Sequence, residues 1–203
     1  MMTVIIDLEI GNAIAVENWF SRNQIKVKRI KRSEDYVVND TKIIVIPGAC
    51  NSGALAELIR VKGFKSVIIN HIENGGYILG ICAGMHCLFS EIEEGQSSGL
   101  NILDGCVEKM HSSNNDWAKI VIDRSDKMDS LPKTRLKSIT GRMYFNHSYY
   151  VKCNEKLICN SISVNGLSVP NLVIQSRVIG IQAHPEKSQV TGNRLLKILG
   201  FKK

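Results

Sequence analysis

The chain has 203 residues, of which 44% are hydrophobic and 22% are charged, a composition typical of one globular domain over residues 1–203. The formal net charge is +7, and no apolar run is long enough to span a membrane. Asp7 and Glu9 follow the apolar residues 4–6 closely, so we expect the N-terminus to be a first strand and not a secretory signal. The six cysteines form no CxxC pair, so we expect a reduced, cytoplasmic protein without a zinc site.

The first half of the chain alternates strand and helix patterns. Runs rich in β-branched residues predict four buried strands, at 3–7, 42–46, 66–70 and 77–81. Asn12 is placed to cap a first helix, and a second helix is predicted over 54–64 and ended by Gly63. The apolar face of the first helix carries Ala13, Val16, Trp19 and Phe20. This alternation is typical of an open α/β sheet.

The densest positive cluster, KVKRIKR, covers residues 26–32. We interpret it as a solvated edge strand with Val27 and Ile30 facing inward, because edge strands often carry lysine. No aromatic residues interleave with the charges, so no nucleic-acid partner is expected. The positive surface also suits an acidic protein partner.

The segment YILGICAGMHCLF at 77–89 joins a strand pattern to a third helix pattern. Cys82 lies at the junction, with Gly80 and Gly84 on either side. This is the pattern of a nucleophile elbow with cysteine in place of serine, which exposes the sulfur at the end of the sheet. The helix N-terminus favours a thiolate there, and the Ala83 N–H would face the oxyanion of a tetrahedral intermediate. The alternative is a small buried cysteine in a glycine-rich turn.

The second half of the chain has strand patterns with few helices between them. Strands are predicted at 119–123, 149–153, 172–176 and 178–183, with a tight turn at 176–178 and a closing amphipathic helix at 188–200. This half predicts an antiparallel extension of a mixed sheet. His184 follows the last of these strands and Glu186 lies two residues on, so the pair suits a base and its orienting carboxylate. Taken alone, His184 would be read as a solvent-exposed loop histidine.

At this point the sequence resembles a known family. GICAGM at 80–85 together with HPEKS at 184–188 is similar to the class I glutamine amidotransferases, and in particular to glutaminase subunits of imidazole glycerol phosphate synthase. IGN at 10–12, IPG at 46–48, LFSEIEEG at 88–95 and FNHSYYV at 145–151 extend the resemblance nearly end to end. It implies a flavodoxin-like, mainly parallel open sheet flanked by helices, with an antiparallel extension.

The resemblance also implies a reaction and its residues. Cys82 would attack the side-chain amide of L-glutamine, with His184 as proton carrier and Glu186 as its orienter. The oxyanion would be held by Ala83 and by the Gly48–Ala49 segment. Glu94 would meet the α-ammonium group of the substrate, and the backbone of Ser148 and Tyr149 its α-carboxylate. No metal or cofactor is implied.

Three positions depart from the family pattern. The family usually has glutamine four residues after the nucleophile, where this chain has His86, predicted to face the substrate pocket. The oxyanion strand usually reads Pro-Gly-Val-Gly, and the present Ala49-Cys50 restricts any peptide flip there. We interpret Cys50 as a space-filling residue. Trp117 remains as a candidate gate, with Lys187, at a partner interface, or else as a core tryptophan.

The length leaves no room for an acceptor domain of ordinary size, so we expect a separate synthase as partner. The first candidate is a (β/α)₈-barrel cyclase of histidine biosynthesis, in a heterodimer. The second is a sugar amidotransferase of surface polysaccharide synthesis, in which case this chain is a paralogue that supplies it with ammonia. Two other classes stay open: a standalone cysteine hydrolase such as a γ-glutamyl peptidase, and a non-catalytic binding subunit.

Overall fold

The computed structural model describes residues 2–38 and 40–202. Its first half contains these elements: β1 (Met2–Ile6), α1 (Ala13–Arg22), β2 (Val27–Ile30), β3 (Thr41–Ile46), α2 (Ser52–Val61), α3 (Phe64–Glu73), β4 (Tyr77–Ile81), α4 (Ala83–His86), β5 (Glu91–Ile92) and β6 (Ser97–Ser98). The second half contains β7 (Cys106–Asp123), β8 (Ser138–Lys152), β9 (Ile158–Val164), β10 (Leu167–Gln175), β11 (Val178–Ile181) and α5 (Gln189–Ile198). No helix of the described ranges has the length and apolar character needed to cross a membrane.

The main sheet has seven strands in the order β2-β1-β3-β4-β11-β10-β9. The five strands from β2 to β11 are parallel, and β10 and β9 add an antiparallel edge. Successive side chains of β1, β3 and β4 enter two separate hydrophobic cores, one on each face of the sheet. The predicted mixed, mainly parallel sheet with an antiparallel extension is therefore confirmed.

A second sheet, in the order β6-β5-β7-β8, is formed chiefly by a long antiparallel ribbon of β7 and β8. The sequence predicted only the C-terminal ends of these two strands, at 119–123 for β7 and at 149–153 for β8. The rest carries polar and charged residues at exposed positions, including 111–113 and 115–116, which weakens the apolar alternation that marks a strand.

One predicted strand is wrong. Residues 66–70 lie within α3 and not in a strand. Ile68 is fully buried, while Ile69 is 38% exposed, so the run presents one helical face to the core. A short apolar run of this kind does not distinguish a strand from a helix by periodicity.

The other predicted elements lie close to their expected positions. The basic segment forms the edge strand β2, as predicted, with Ile30 buried. α1 buries its four predicted apolar residues. Gly63 takes a left-handed conformation (φ 73°) between α2 and α3, where it ends the first of them. The turn at 176–177 joins β10 to β11 as a hairpin.

Candidate active site

Three segments named by the sequence meet at one edge of the sheet. β3 leads into Gly48, β4 into Cys82 and β11 into His184, and these strands are parallel neighbours. The carboxyl ends of parallel neighbouring strands lie side by side, which is where open α/β sheets place their ligands. The fold therefore brings together residues that lie far apart in the sequence.

The backbone at Cys82 has the strain expected of a nucleophile elbow. Its φ of 51° and ψ of −111° are unfavourable for a residue with a side chain. α4 begins at the next residue and packs so closely on β3 that a Cβ on Gly84 would lie 2.0 Å from the Ile46 carbonyl oxygen. The sharp turn leaves Cys82 facing a cleft.

The Gly48 segment touches this elbow directly. A Cβ on Gly48 would lie 2.3 Å from the Ile81 carbonyl oxygen and 2.8 Å from the Ala83 nitrogen. Ala49 follows in a left-handed conformation, with φ 66°. The structure thus holds the two predicted oxyanion segments against each other, and Ala49 accepts a conformation that usually favours glycine.

His184 and Glu186 form a buried, hydrogen-bonded pair. The His184 Nδ1 atom lies 2.8 Å from the Glu186 Oε1 atom, and both side chains are 1% exposed. The Asn12 Nδ2 atom donates to the same oxygen at 3.0 Å. The backbone N–H of His184 donates to the Tyr144 carbonyl at 2.8 Å, which ties this turn to β8. The ring is therefore fixed in position and orientation.

The environment of His184 favours the charged ring. Burial alone would lower the pKa of His184, but its interactions with Cys82 and Glu186 outweigh burial and raise the pKa to about 9. The interaction with Cys82 places the ring beside the sulfur. The His184 Nε2 atom is buried and has no hydrogen-bond partner among the described residues, so no other group holds it.

A cavity of about 300 Å³ lies over the elbow. Its lining includes Cys82, Ala83, Ala49, Glu94, Ser148 and Tyr149. Glu94 is oriented by the start of α2, because one of its carboxylate oxygens accepts from the Ser52 backbone N–H at 2.7 Å and from the Ser52 hydroxyl at 2.5 Å. The cavity therefore contains a carboxylate of fixed orientation together with the Cys82 side chain.

His86 also lines this cavity and is 3% exposed. Its Nε2 atom lies 2.9 Å from the Gln182 Oε1 atom. Burial lowers the pKa of His86 to about 4, so the ring is neutral near pH 7. The substitution of the usual glutamine thus places no positive charge beside the sulfur.

Cys50 lines the same cavity without the character of a nucleophile. Burial, together with the neighbouring Cys82 and Glu94, raises the pKa of its thiol to about 12. A thiol that stays protonated at neutral pH is a weak nucleophile, which favours the space-filling interpretation.

Trp117 and Lys187 lie on the outer side of the histidine turn. The ring centroids of Trp117 and Tyr144 are 5.8 Å apart, and those of Tyr144 and His184 are 6.1 Å apart. The Lys187 ammonium group lies 5.4 Å from the Tyr144 ring centroid. Trp117 is half-buried, so it is not a core tryptophan, and the aromatic series connects the surface to the site.

Sequence reasoning missed two polar side chains of this site. Asn12 was predicted to cap α1, but its side chain accepts no hydrogen bond from the helix and reaches Glu186 instead. Gln182 was not singled out, although its Nε2 atom lies 3.8 Å from the Cys82 sulfur. A polar residue at the end of an apolar strand was the available signal.

Comparison with known proteins gives a consistent result. The family model for class I glutamine amidotransferases matches residues 4–200. The chain is similar to "Imidazole glycerol phosphate synthase subunit HisH" of Caldanaerobacter subterraneus subsp. tengcongensis, with 32% identity covering 98% of this chain and 97% of that protein. The protein of the same name from Bacillus cytotoxicus is 31% identical, covering 96% of this chain and 92% of that protein.

Solved structures share the fold at lower sequence identity. A crystal structure described as a glutamine amidotransferase superposes with a TM-score of 0.74 at 19% identity, covering 98% of this chain and all (100%) of that one. The structure of PurLQS from Thermotoga maritima gives a TM-score of 0.75 at 16% identity, covering 98% of each chain. At these identities the likeness establishes the architecture alone.

Proposed function

The chain belongs to the class I glutamine amidotransferases, and on that premise we propose that it is the glutaminase subunit of an imidazole glycerol phosphate synthase. In this role it releases ammonia from L-glutamine for a partner cyclase in histidine biosynthesis. The observation that carries the proposal is the cavity over Cys82, which also contains Glu94, Ser148 and Tyr149. That set suits a small amino acid with its amide directed at the sulfur.

The first chemical step is attack by the Cys82 thiolate on the amide carbon of glutamine. The new C–S bond moves an electron pair onto the carbonyl oxygen, which the Ala83 N–H and the Gly48–Ala49 segment stabilise. Contact between these two segments supports this role, because both are positioned by the same turn. His184 then gives its Nε2 proton to the amide nitrogen, the C–N bond breaks, and ammonia leaves.

The second step frees the enzyme. His184, now neutral, takes a proton from water, and the resulting hydroxide attacks the glutamyl thioester. The C–S bond breaks, glutamate leaves, and the thiolate–imidazolium pair returns. Glu186 stabilises the imidazolium and holds the ring orientation throughout, which fits its hydrogen bond to Nδ1.

Substrate recognition uses the two charged groups on the α-carbon of glutamine, at the end of the molecule opposite the amide. Glu94 binds the α-ammonium group, and the backbone of Ser148–Tyr149 binds the α-carboxylate. The ammonia then passes to the partner without entering bulk water, where most of it would be protonated and no longer nucleophilic. The series from His184 through Tyr144 to Trp117, with Lys187 beside it, supports an exit toward the partner at this surface.

The test measures glutamate and ammonia formation by the purified chain, alone and with the cyclase subunit encoded in the same genome. We expect hydrolysis to require the cyclase, and Cys82→Ala to reduce it about 10⁴-fold or more. High activity alone would indicate a standalone hydrolase, and no activity in either arm a binding subunit. Activity with a sugar amidotransferase but not with the cyclase would move the chain to polysaccharide synthesis. Each of these three results overturns the proposal.

A further inference from the structure

Gln182 is a buried polar side chain that the steps above do not use. It follows β11, and its backbone N–H donates to the Asn171 carbonyl at 2.8 Å. The residue is 0% exposed. Its amide bridges two groups of the site, since Nε2 lies 3.8 Å from the Cys82 sulfur and Oε1 lies 2.9 Å from the His86 Nε2 atom. A fully buried amide with both ends engaged has a fixed orientation.

The chemistry of the sulfur sets the direction of both hydrogen bonds. A thiolate only accepts, so the NH₂ end of the Gln182 amide faces it. The Oε1 end must then accept from His86, which places the ring proton on the His86 Nε2 atom. A neutral histidine carries one ring proton, and with that proton on Nε2 the ring can donate to the Gln182 Oε1 atom. The donors of His86 and Gln182 therefore run in series toward Cys82.

A neutral donor has a particular advantage at this sulfur. Hydrogen bonds to a charged group favour its ionised form, and they are stronger in a buried site than in water. Gln182 gives such a bond without adding a second positive charge. It therefore does not compete with His184 for the proton that must reach the leaving nitrogen.

We propose that Gln182 is a donor that stabilises the Cys82 thiolate, and that His86 is a positioning residue that fixes the orientation of the Gln182 amide. This rests on the proposed function, in which Cys82 is the nucleophile. Glutamine, the usual family residue at position 86, also carries an N–H donor. His86→Gln should therefore preserve the arrangement, while His86→Leu should not.

The test is the pH dependence of Cys82 alkylation by iodoacetamide, followed by mass spectrometry of the Cys82 peptide in the full chain without glutamine. Gln182→Met keeps the approximate volume of the side chain but removes the donor. We expect it to slow alkylation at pH 7 about tenfold, the usual effect of one hydrogen bond to a charged group, and to move the pH midpoint upward. An unchanged rate and midpoint would overturn the proposal.

The role of His86 has its own comparison. We expect His86→Leu to slow alkylation in the same direction, His86→Gln to restore it, and the His86→Leu, Gln182→Met double variant to be no slower than Gln182→Met alone. His71→Leu is the matched control, because His71 is also buried (2% exposed) and hydrogen-bonded but contacts Tyr36 and Tyr77 rather than the site. A purely structural role for His86 predicts equal effects of His86→Leu and His71→Leu, which would overturn the positioning role.

Two further controls separate the possible outcomes. If Gln182→Met does not fold, as judged by thermal unfolding, the His86→Leu and His86→Gln pair decides the proposal. If the natural chain hydrolyses no glutamine with any partner while alkylation still depends on Gln182, the proposed function fails and the thiolate donor remains. If hydrolysis is normal and the alkylation rate does not depend on Gln182, the proposed function stands and the thiolate donor is overturned.

Discussion

Two buried histidines near Cys82 have opposite ionisation. His184 is 1% exposed and His86 is 3% exposed, so burial is nearly the same. Yet the pKa of His184 is raised to about 9, while that of His86 is lowered to about 4. One charged histidine ring and one neutral histidine ring therefore lie near the Cys82 side chain.

The difference comes from the partner of each ring. Burial lowers the pKa of both histidines, but His184 also interacts with Cys82 and with the Glu186 carboxylate, whereas the hydrogen-bond partner of the His86 ring is the uncharged Gln182 amide. Cys82 and the Glu186 carboxylate at 2.8 Å together reverse the effect of burial at His184, and an amide at 2.9 Å does not reverse it at His86. The comparison shows that the neighbouring groups, and not the depth of burial, decide which histidine is charged.

The largest expected effect comes from removing the charge beside His184. Glu186→Gln removes one of the two interactions that oppose burial, so we expect the pKa of His184 to fall and a smaller fraction of the enzyme to hold the proton needed at the leaving nitrogen at pH 7. We expect kcat for glutamine hydrolysis with the partner to fall about 10²- to 10⁴-fold. The matched control is Glu17→Gln. Glu17 lies on α1, and its carboxylate pairs with Arg29 of β2, away from His184. A decrease in kcat of less than threefold for Glu186→Gln would contradict the conclusion that this carboxylate keeps His184 charged.

The converse change places a charge beside His86. In Gln182→Glu a carboxylate faces this ring as Glu186 faces His184, so we expect the pKa of His86 to rise from about 4 to above its ordinary 6.5. The new negative charge also lies near the sulfur and should slow Cys82 alkylation about tenfold at pH 7. Nuclear magnetic resonance titration of the histidine ring measures the first effect. A ring that stays neutral down to pH 5 would contradict it.

The third expected effect, smaller than the first two, is a decrease in the free energy of unfolding in acid. Burial lowers the pKa of both His86 and His147 to about 4. The unfolded chain takes up these protons below about pH 6.5 and the folded chain only near pH 4, so the free energy of unfolding falls between those values. At about 1.4 kcal/mol per pKa unit, the loss amounts to a few kcal/mol. His184 behaves in the opposite way, because its contribution is complete below about pH 6.5 and is lost as pH rises through about 9.

Urea unfolding at pH 7.0, 5.5 and 4.5 measures this loss. His86→Gln should lose less stability on acidification than the natural chain, because one of the two buried rings is gone. Parallel curves of stability against pH for the two proteins would show that His86 does not cause the loss of stability in acid. Carboxylates contribute equally to both curves, so the difference isolates the histidine.

The smallest effect is expected at Asn12. Asn12→Ala removes the 3.0 Å hydrogen bond to Glu186 but leaves the carboxylate and its charge in place. We expect kcat to fall about three- to tenfold, the size of one ordinary hydrogen bond. Steady-state kinetics with the partner measures it. A loss as large as that of Glu186→Gln would show that orientation matters as much as charge.

Much of the site's location could be predicted because it depends on local rules. The elbow around Cys82 needs small neighbours within a few residues, and His184 follows a strand that reads clearly as apolar. The roles of Asn12 and Gln182 could not be predicted, because each depends on which strands are neighbours in the sheet. The strand expected at 66–70 failed for the same reason, since packing of α3 against the sheet decides how that apolar run folds.

The contact at Gly48 has a consequence for sequence variation. The hydrogen of this residue lies in a close contact between the segment after β3 and the elbow, and even alanine would place its Cβ 2.3 Å from the Ile81 carbonyl oxygen. In a library randomised at codon 48 and selected for growth without histidine, we expect glycine alone to survive. Codon 49, where a side chain is already accommodated, should return several residues from the same selection.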